Sequence, residues 1–145
     1  MLFTLLIGSL TTVVNLAIQV TAIVLIVRHL RKRIENSQGP AGFLEDFYVL
    51  GVVLGGLFVG HLLQFATWAL LFQLLGEFPD FDTAFYHSAV NFASLGYGDI
   101  VMSERWRLLG ALEATNGVLM LSLSAGAILS VMNDVLSRNR ARKTA

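Results

Sequence analysis

Residues 83–99 read TAFYHSAVNFASLGYGD, and this stretch decides how the rest of the chain is understood. Thr83 to Phe92 is apolar and compatible with a helix, and Asp82 is a suitable N-cap because its carboxylate accepts from free amides of the first turn. Ten helical residues rise only about 15 Å, half of the roughly 30 Å of hydrocarbon that a membrane helix must cross. Ser94-Leu95-Gly96-Tyr97-Gly98-Asp99 follows, with glycines that break regular structure. A half-length helix with an irregular return is the expected result.

Full-length apolar segments lie on either side of it. Leu2 to Val27 carries no charge and exceeds the about 20 residues needed to span a bilayer, so it reads as a first span. A cleaved leader is the competing reading, but no basic region precedes the apolar stretch, which is also too long for one. A basic turn is expected from Arg28 to Pro40, closed by the breakers Ser37-Gln38-Gly39-Pro40. Phe47 to Leu75 is a second span, in which Gly51, Gly55, Gly56 and Gly60 suit close helix packing. Gly76 to Asp82 is acidic, contains Pro79 and reads as a turn. A third span runs from about Arg107 to Val131. With 55% hydrophobic residues, 14% charged residues and a mean hydropathy of +0.69, the chain belongs in a bilayer.

Charge orients it. The net charge is zero, yet eight of the ten Lys and Arg residues fall in two clusters, Arg28, Arg31, Lys32 and Arg33, then Arg138, Arg140, Arg142 and Lys143. The positive-inside rule puts both clusters in the cytoplasm and leaves Arg105 and Arg107 outside, which with three spans gives an outside N-terminus. The half-helix and its loop then enter from the outer face. Extended backbone at membrane depth is tolerated only where protein buries it or where it lines a water-filled passage, and this points to a pore.

The loop residues suit a cation path. A selective pore must replace the ion's hydration shell with oxygens at fixed positions, which stacked backbone carbonyls provide. Carbonyls that all point one way need alternating backbone handedness, and glycine takes the left-handed positions at least cost, as at Gly96 and Gly98 around Tyr97. The half-helix ends just before the loop, so its negative end favours a cation.

From about Phe47 to Val131 the chain resembles the pore domain of potassium channels, in the small bacterial ion-channel family that builds two helices around a pore loop. The likeness covers about 85 of the 145 residues and leaves the first helix outside it. The family's filter Thr-Val-Gly-Tyr-Gly-Asp corresponds to Ser94, Leu95, Gly96, Tyr97, Gly98 and Asp99. The resemblance implies that K+ is the permeant ion, with no other cofactor. It implies coordination along the filter from Ser94 to Gly98, with the carbonyls of Ser94, Leu95, Gly96 and Tyr97 and the Ser94 hydroxyl as ligands. Asp99, Tyr86 and His87 are implied as filter supports, with His87 expected to bond Tyr97. In the family the helix after the filter lines the cavity around a glycine hinge, which corresponds to Gly117, with Val118, Leu121, Ala125 and Leu129 along the stripe. Gly117 as a packing residue is the equal alternative. Two departures stand out: Leu95 replaces valine, and Ser94 lacks the methyl that would restrict its rotamer.

The expected fold is therefore an all-α membrane protein with three transmembrane helices, a re-entrant pore helix and a filter loop. Residues 1–40 form the first helix and basic loop, 41–136 the pore domain and 137–145 a basic tail. One filter strand supplies a quarter of an ion cage, so a homotetramer is expected, in a bacterial inner (plasma) membrane. The alternatives are a weakly selective cation channel and a non-conducting regulatory membrane subunit with a pore-like fold. Enzymatic activity is not expected, since no nucleophile has a paired base and there is no metal cluster or phosphate-binding loop. The basic clusters are explained by topology and anionic lipid, not nucleic acid. Cysteine is absent, which removes disulfides and thiolate metal sites. Among polar residues in the spans, Asn15 and Gln19 share a helix face turned toward protein, Glu113 suits bracing of the pore loop, and His61 reads as a neutral packing residue and not a proton sensor. The first span has no arginine ladder, so voltage sensing is not expected.

Overall fold

The computed structural model describes residues 1–36 and 42–143, and the Ser37 to Pro40 breaker lies outside the described residues. The order is α1 (Leu2–Asn36), α2 (Phe43–Leu74), α3 (Phe81–Phe92) and α4 (Arg107–Lys143). The fold is all-α, with a short helix held between membrane-length ones. Three stretches, Leu2–Arg33, Phe43–Leu74 and Arg107–Arg138, are long and apolar enough to span a bilayer, and the chain is an integral membrane protein. The 12 residues of α3 rise only about 18 Å.

Helix ends depart from the sequence expectations for identifiable reasons. α1 does not stop at Val27 but continues through Arg28 to Asn36, because Arg, Lys and Glu are good helix formers: charge ends the apolar span without ending the helix. α4 likewise runs past Val131 to Lys143. α2 begins at Phe43, before the apolar run, with Glu45 and Asp46 in its first turn where they meet the positive end of the helix dipole. The N-cap of α3 is Asp80 and not Asp82. Asp80 has the extended backbone that a cap requires, its Oδ1 accepts from Thr83 N at 2.8 Å and its Oδ2 from Thr83 Oγ1 at 3.0 Å, and Asp82 falls inside the first turn. These bonds hold the exposed Asp80 carboxyl below its ordinary pKa, the backbone bond first.

Two apolar cores stack along the bundle. Near the loop end, Trp68, Phe72, Phe78, Phe92, Trp106 and Leu109 pack together; near the other end, Ile26, Leu30, Val49, Val53, Leu57 and Val135 do. Leu30 and Val135 share that second core, so the C-terminal ends of α1 and α4, with their arginines, lie at one end of the molecule.

Between the cores lies a buried polar layer that fastens α1 to α2 and α4. His61 Nδ1 is 3.1 Å from Gln64 Oε1, which can only accept, so this ring nitrogen donates. In the tautomer protonated at Nδ1, Nε2 is the acceptor, 3.0 Å from Ser124 Oγ, whose hydroxyl donates to it. Ser124 Oγ accepts from Gln19 Nε2 at 2.8 Å, and Gln19 Oε1 accepts from Gln64 Nε2 at 2.9 Å. Donation runs one way round a closed circuit of four side chains. Gln19 and Gln64 are fully buried, as is Asn15, whose backbone carbonyl accepts a second bond from Gln64 at 3.3 Å. In hydrocarbon such a circuit ties helices together because neither lipid nor water competes for it. Just below, Gly56 and Gly60 meet Ile26 and Ala22 of α1, whereas Gly51 and Gly55 face open space.

Candidate ion pathway

α3 ends in a motif that launches the loop. Ser94 N donates to Asn91 O at 2.9 Å and Leu95 N to Val90 O at 2.9 Å, with Ser94 left-handed at φ 58°. This is the Schellman arrangement, in which the residue after the C-cap takes positive φ and the next amide folds back on the last turn. Glycine usually fills that place. Serine there costs about 1–2 kcal/mol of backbone strain, and a β-branched threonine would fit the same φ less well. Ser94 in place of threonine is thus matched to the local backbone.

The handedness alternates from there. Ser94, Gly96 and Gly98 have φ of 58°, 57° and 73°, while Leu95 and Tyr97 between them do not have positive φ. Five residues after a helix end therefore run as an extended, alternating ribbon. Leu95 is 56% exposed and Tyr97 66% exposed. Behind the ribbon lies a cavity of about 410 Å³ that reaches His87, Asn91, Met102 and Gly110.

The outer end of the ribbon is tied down. Tyr86 Oη donates to Asp99 Oδ2 at 2.7 Å, which holds the exposed Asp99 carboxyl below its ordinary pKa and pushes the tyrosine hydroxyl above its own. His87 does not bond Tyr97 in the chain. After Asp99 the chain turns back over α3, so His87 Nδ1 donates to the Ile100 carbonyl at 3.2 Å, while its ring packs on Phe78 and Phe72 with centroids at 4.9 and 5.6 Å. Glu77 secures the return to α4, accepting from Ser103 N at 2.8 Å and from Ser103 Oγ at 2.6 Å. Nothing in the sequence singles out that pair, which is 26 residues apart and lies in two separate turns.

The cavity stripe divides. Val118, Leu121, Ala125 and Leu129 are exposed along one face of α4. Gly117 is not among them: it is buried at the edge of that face, where a Cβ would collide with the Phe92 carbonyl at the end of α3. Its lack of a side chain lets the two helices touch.

A half-helix that delivers an alternating ribbon, between two spans of one chain, is the geometry of a pore loop. A family model described as "Ion channel" matches residues 47–134, well over half of the chain. The chain belongs to this ion channel family. It is a family of channels and not of enzymes, and the match covers α2 from Phe47, the whole of α3 and the loop, and most of α4, leaving α1 outside. No curated protein and no solved structure matches the chain.

Proposed function

We propose that this channel is a homotetrameric, potassium-selective pore of the small bacterial type that conducts K+ passively, with its N-terminus outside and its C-terminus in the cytoplasm. The alternation of φ at Ser94, Gly96 and Gly98 carries the reading, because it supplies the backbone handedness that lets successive carbonyls face one axis. Four such ribbons would replace the hydration shell of K+ with the carbonyl oxygens of Ser94, Leu95, Gly96 and Tyr97, with the Ser94 hydroxyl below them and Gly98 completing the outer mouth. The negative end of α3 favours a cation beneath the filter. The exposure of Leu95 and Tyr97 supports assembly, since irregular backbone at membrane depth requires protein around it. Val118, Leu121, Ala125 and Leu129 would then line the inner cavity.

Both basic ends lie together, which supports the orientation. Purified protein in liposomes under opposed Na+ and K+ gradients tests the function. A reversal potential near that of K+ is expected. Equal permeability would replace strong selectivity with the weakly selective reading that Leu95 and Ser94 leave open, and absence of flux under all opening stimuli would leave a non-conducting subunit.

A further inference from the structure

Glu113 lies six residues into α4, about 9 Å along the helix, and is fully buried. An ionisable side chain kept at membrane depth and turned toward protein calls for a role. Its partners are both on the pore helix. Ser88 Oγ donates to Oε1 at 2.5 Å and Asn91 Nδ2 to Oε2 at 2.7 Å, while the same Asn91 amide reaches the Gly110 carbonyl of α4 at 2.8 Å. Ser88 and Asn91 are three apart and so share one face of α3. Each carboxyl oxygen holds a different turn. One bond would leave α3 free to rotate or slide; two, on successive turns, resist both.

The clamp continues into the filter. Asn91, whose side chain Glu113 holds, uses its own carbonyl to accept from Ser94 N at 2.9 Å. One turn farther along α4, the bare backbone at Gly117 meets Phe92. The end of α3 is therefore located against α4 at two points on one face, and the first filter residue hangs from the upper one. We propose that Glu113 is a positioning residue for ion selectivity: without touching the ion, it sets through Ser88 and Asn91 the depth and rotation of the ribbon that begins at Ser94. The idea rests on the pore reading above, because only a coordinating ribbon is sensitive to such placement.

The test uses the full chain in liposomes, with Glu113→Leu, Glu113→Gln, Ser88→Ala and Asn91→Ala. Two quantities are read: the K+ over Na+ permeability ratio, and amide hydrogen exchange of Leu95 to Gly98, which needs no current. Glu113→Leu is expected to lower the ratio and speed the exchange by about tenfold each, with the oligomer intact. Glu113→Gln is expected to stay near wild type, its amide oxygen accepting from Asn91 and its amide nitrogen donating to Ser88 Oγ. Ser88→Ala and Asn91→Ala should shift both readouts in the same direction by less, and they carry the test if Glu113→Leu does not assemble. An assembled Glu113→Leu, or both alanine variants, with wild-type ratio and exchange would overturn the proposal. A wild-type protein without selectivity would sink the potassium reading while the exchange comparison still decides the clamp; a selective wild type with unmoved variants would sink the clamp alone.

Discussion

Two polar clusters are buried inside this bundle, and they are built on different plans. The one near the loop end joins a carboxyl group on α4 to two neutral donors on α3, and one of those donors continues into the turn that ends α3. The one at mid-depth joins Gln19, His61, Gln64 and Ser124 in a circuit that closes on itself. The clamp locates an irregular ribbon that cannot locate itself, because an extended strand has no internal hydrogen bonds to fix it. The circuit fastens one regular helix to others. Disturbing the clamp should therefore change what the pore passes, and disturbing the circuit should change only how firmly the three long helices are fastened together.

The largest expected effect lies at the contact beneath the clamp. Gly117→Ala puts a methyl group where the Phe92 carbonyl stands, and α3 must move away from α4. A loss of about 3 kcal/mol is expected, read as a lower unfolding midpoint in detergent, together with altered selectivity. Unchanged open-state selectivity and stability would return Gly117 to the hinge role.

The circuit gives the next effect. Gln64→Leu removes a donor and an acceptor and should cost about 1–2 kcal/mol of stability, with the permeability ratio unchanged. Gln19→Leu combined with Ser124→Ala should cost less than the sum of the two single changes, because removing both partners leaves fewer stranded groups. Strict additivity in that cycle would show that the two side chains are not coupled, and a changed ratio would erase the contrast between the clusters.

Ser94 sharpens the comparison from the filter side. Ser94→Thr is expected to destabilise the fold by about 1 kcal/mol, and Ser94→Gly to relieve a similar strain. A more stable threonine variant would contradict the left-handed conformation at this position.

The smallest effect concerns Tyr86 and Asp99 at the far end of the ribbon. The folded pKa of Asp99 is depressed by the tyrosine bond, so its contribution is complete above the ordinary carboxylate range and is lost only as the pH falls through the lower folded value. The difference between wild type and Tyr86→Phe in filter stability should be flat from about pH 5 to about 8 and shrink only in stronger acid. A titration near neutrality would contradict it.

Much of this architecture was legible from residues 1–145 because it follows from length and hydropathy. Span existence, the half-length of α3 and the positive φ at Gly96 and Gly98 are local consequences of composition and of glycine's conformational freedom. Helix ends were less legible, since Arg28 to Asn36 reads as a polar break yet is made of good helix formers. What the sequence hides is contact at a distance. Ser88 and Asn91 look like ordinary polar residues on a short helix until Glu113 is seen opposite them, and the pairing of His61 is hidden because the Ser124 hydroxyl it meets comes from another helix. Gly117 fits the hinge pattern by position, but its direction depends on where α3 ends. Ser94 looks like a conservative departure until its φ shows that threonine would strain the turn.

The central claim is that four of these ribbons close around one ion path. A density map of the full-length protein in K+ tests it most directly. Four subunits related by rotation, with ions in line along the carbonyls from Ser94 to Tyr97 and α1 on the periphery, are predicted. A monomer or dimer, or a tetramer whose axis is lined by any other segment, would contradict the account.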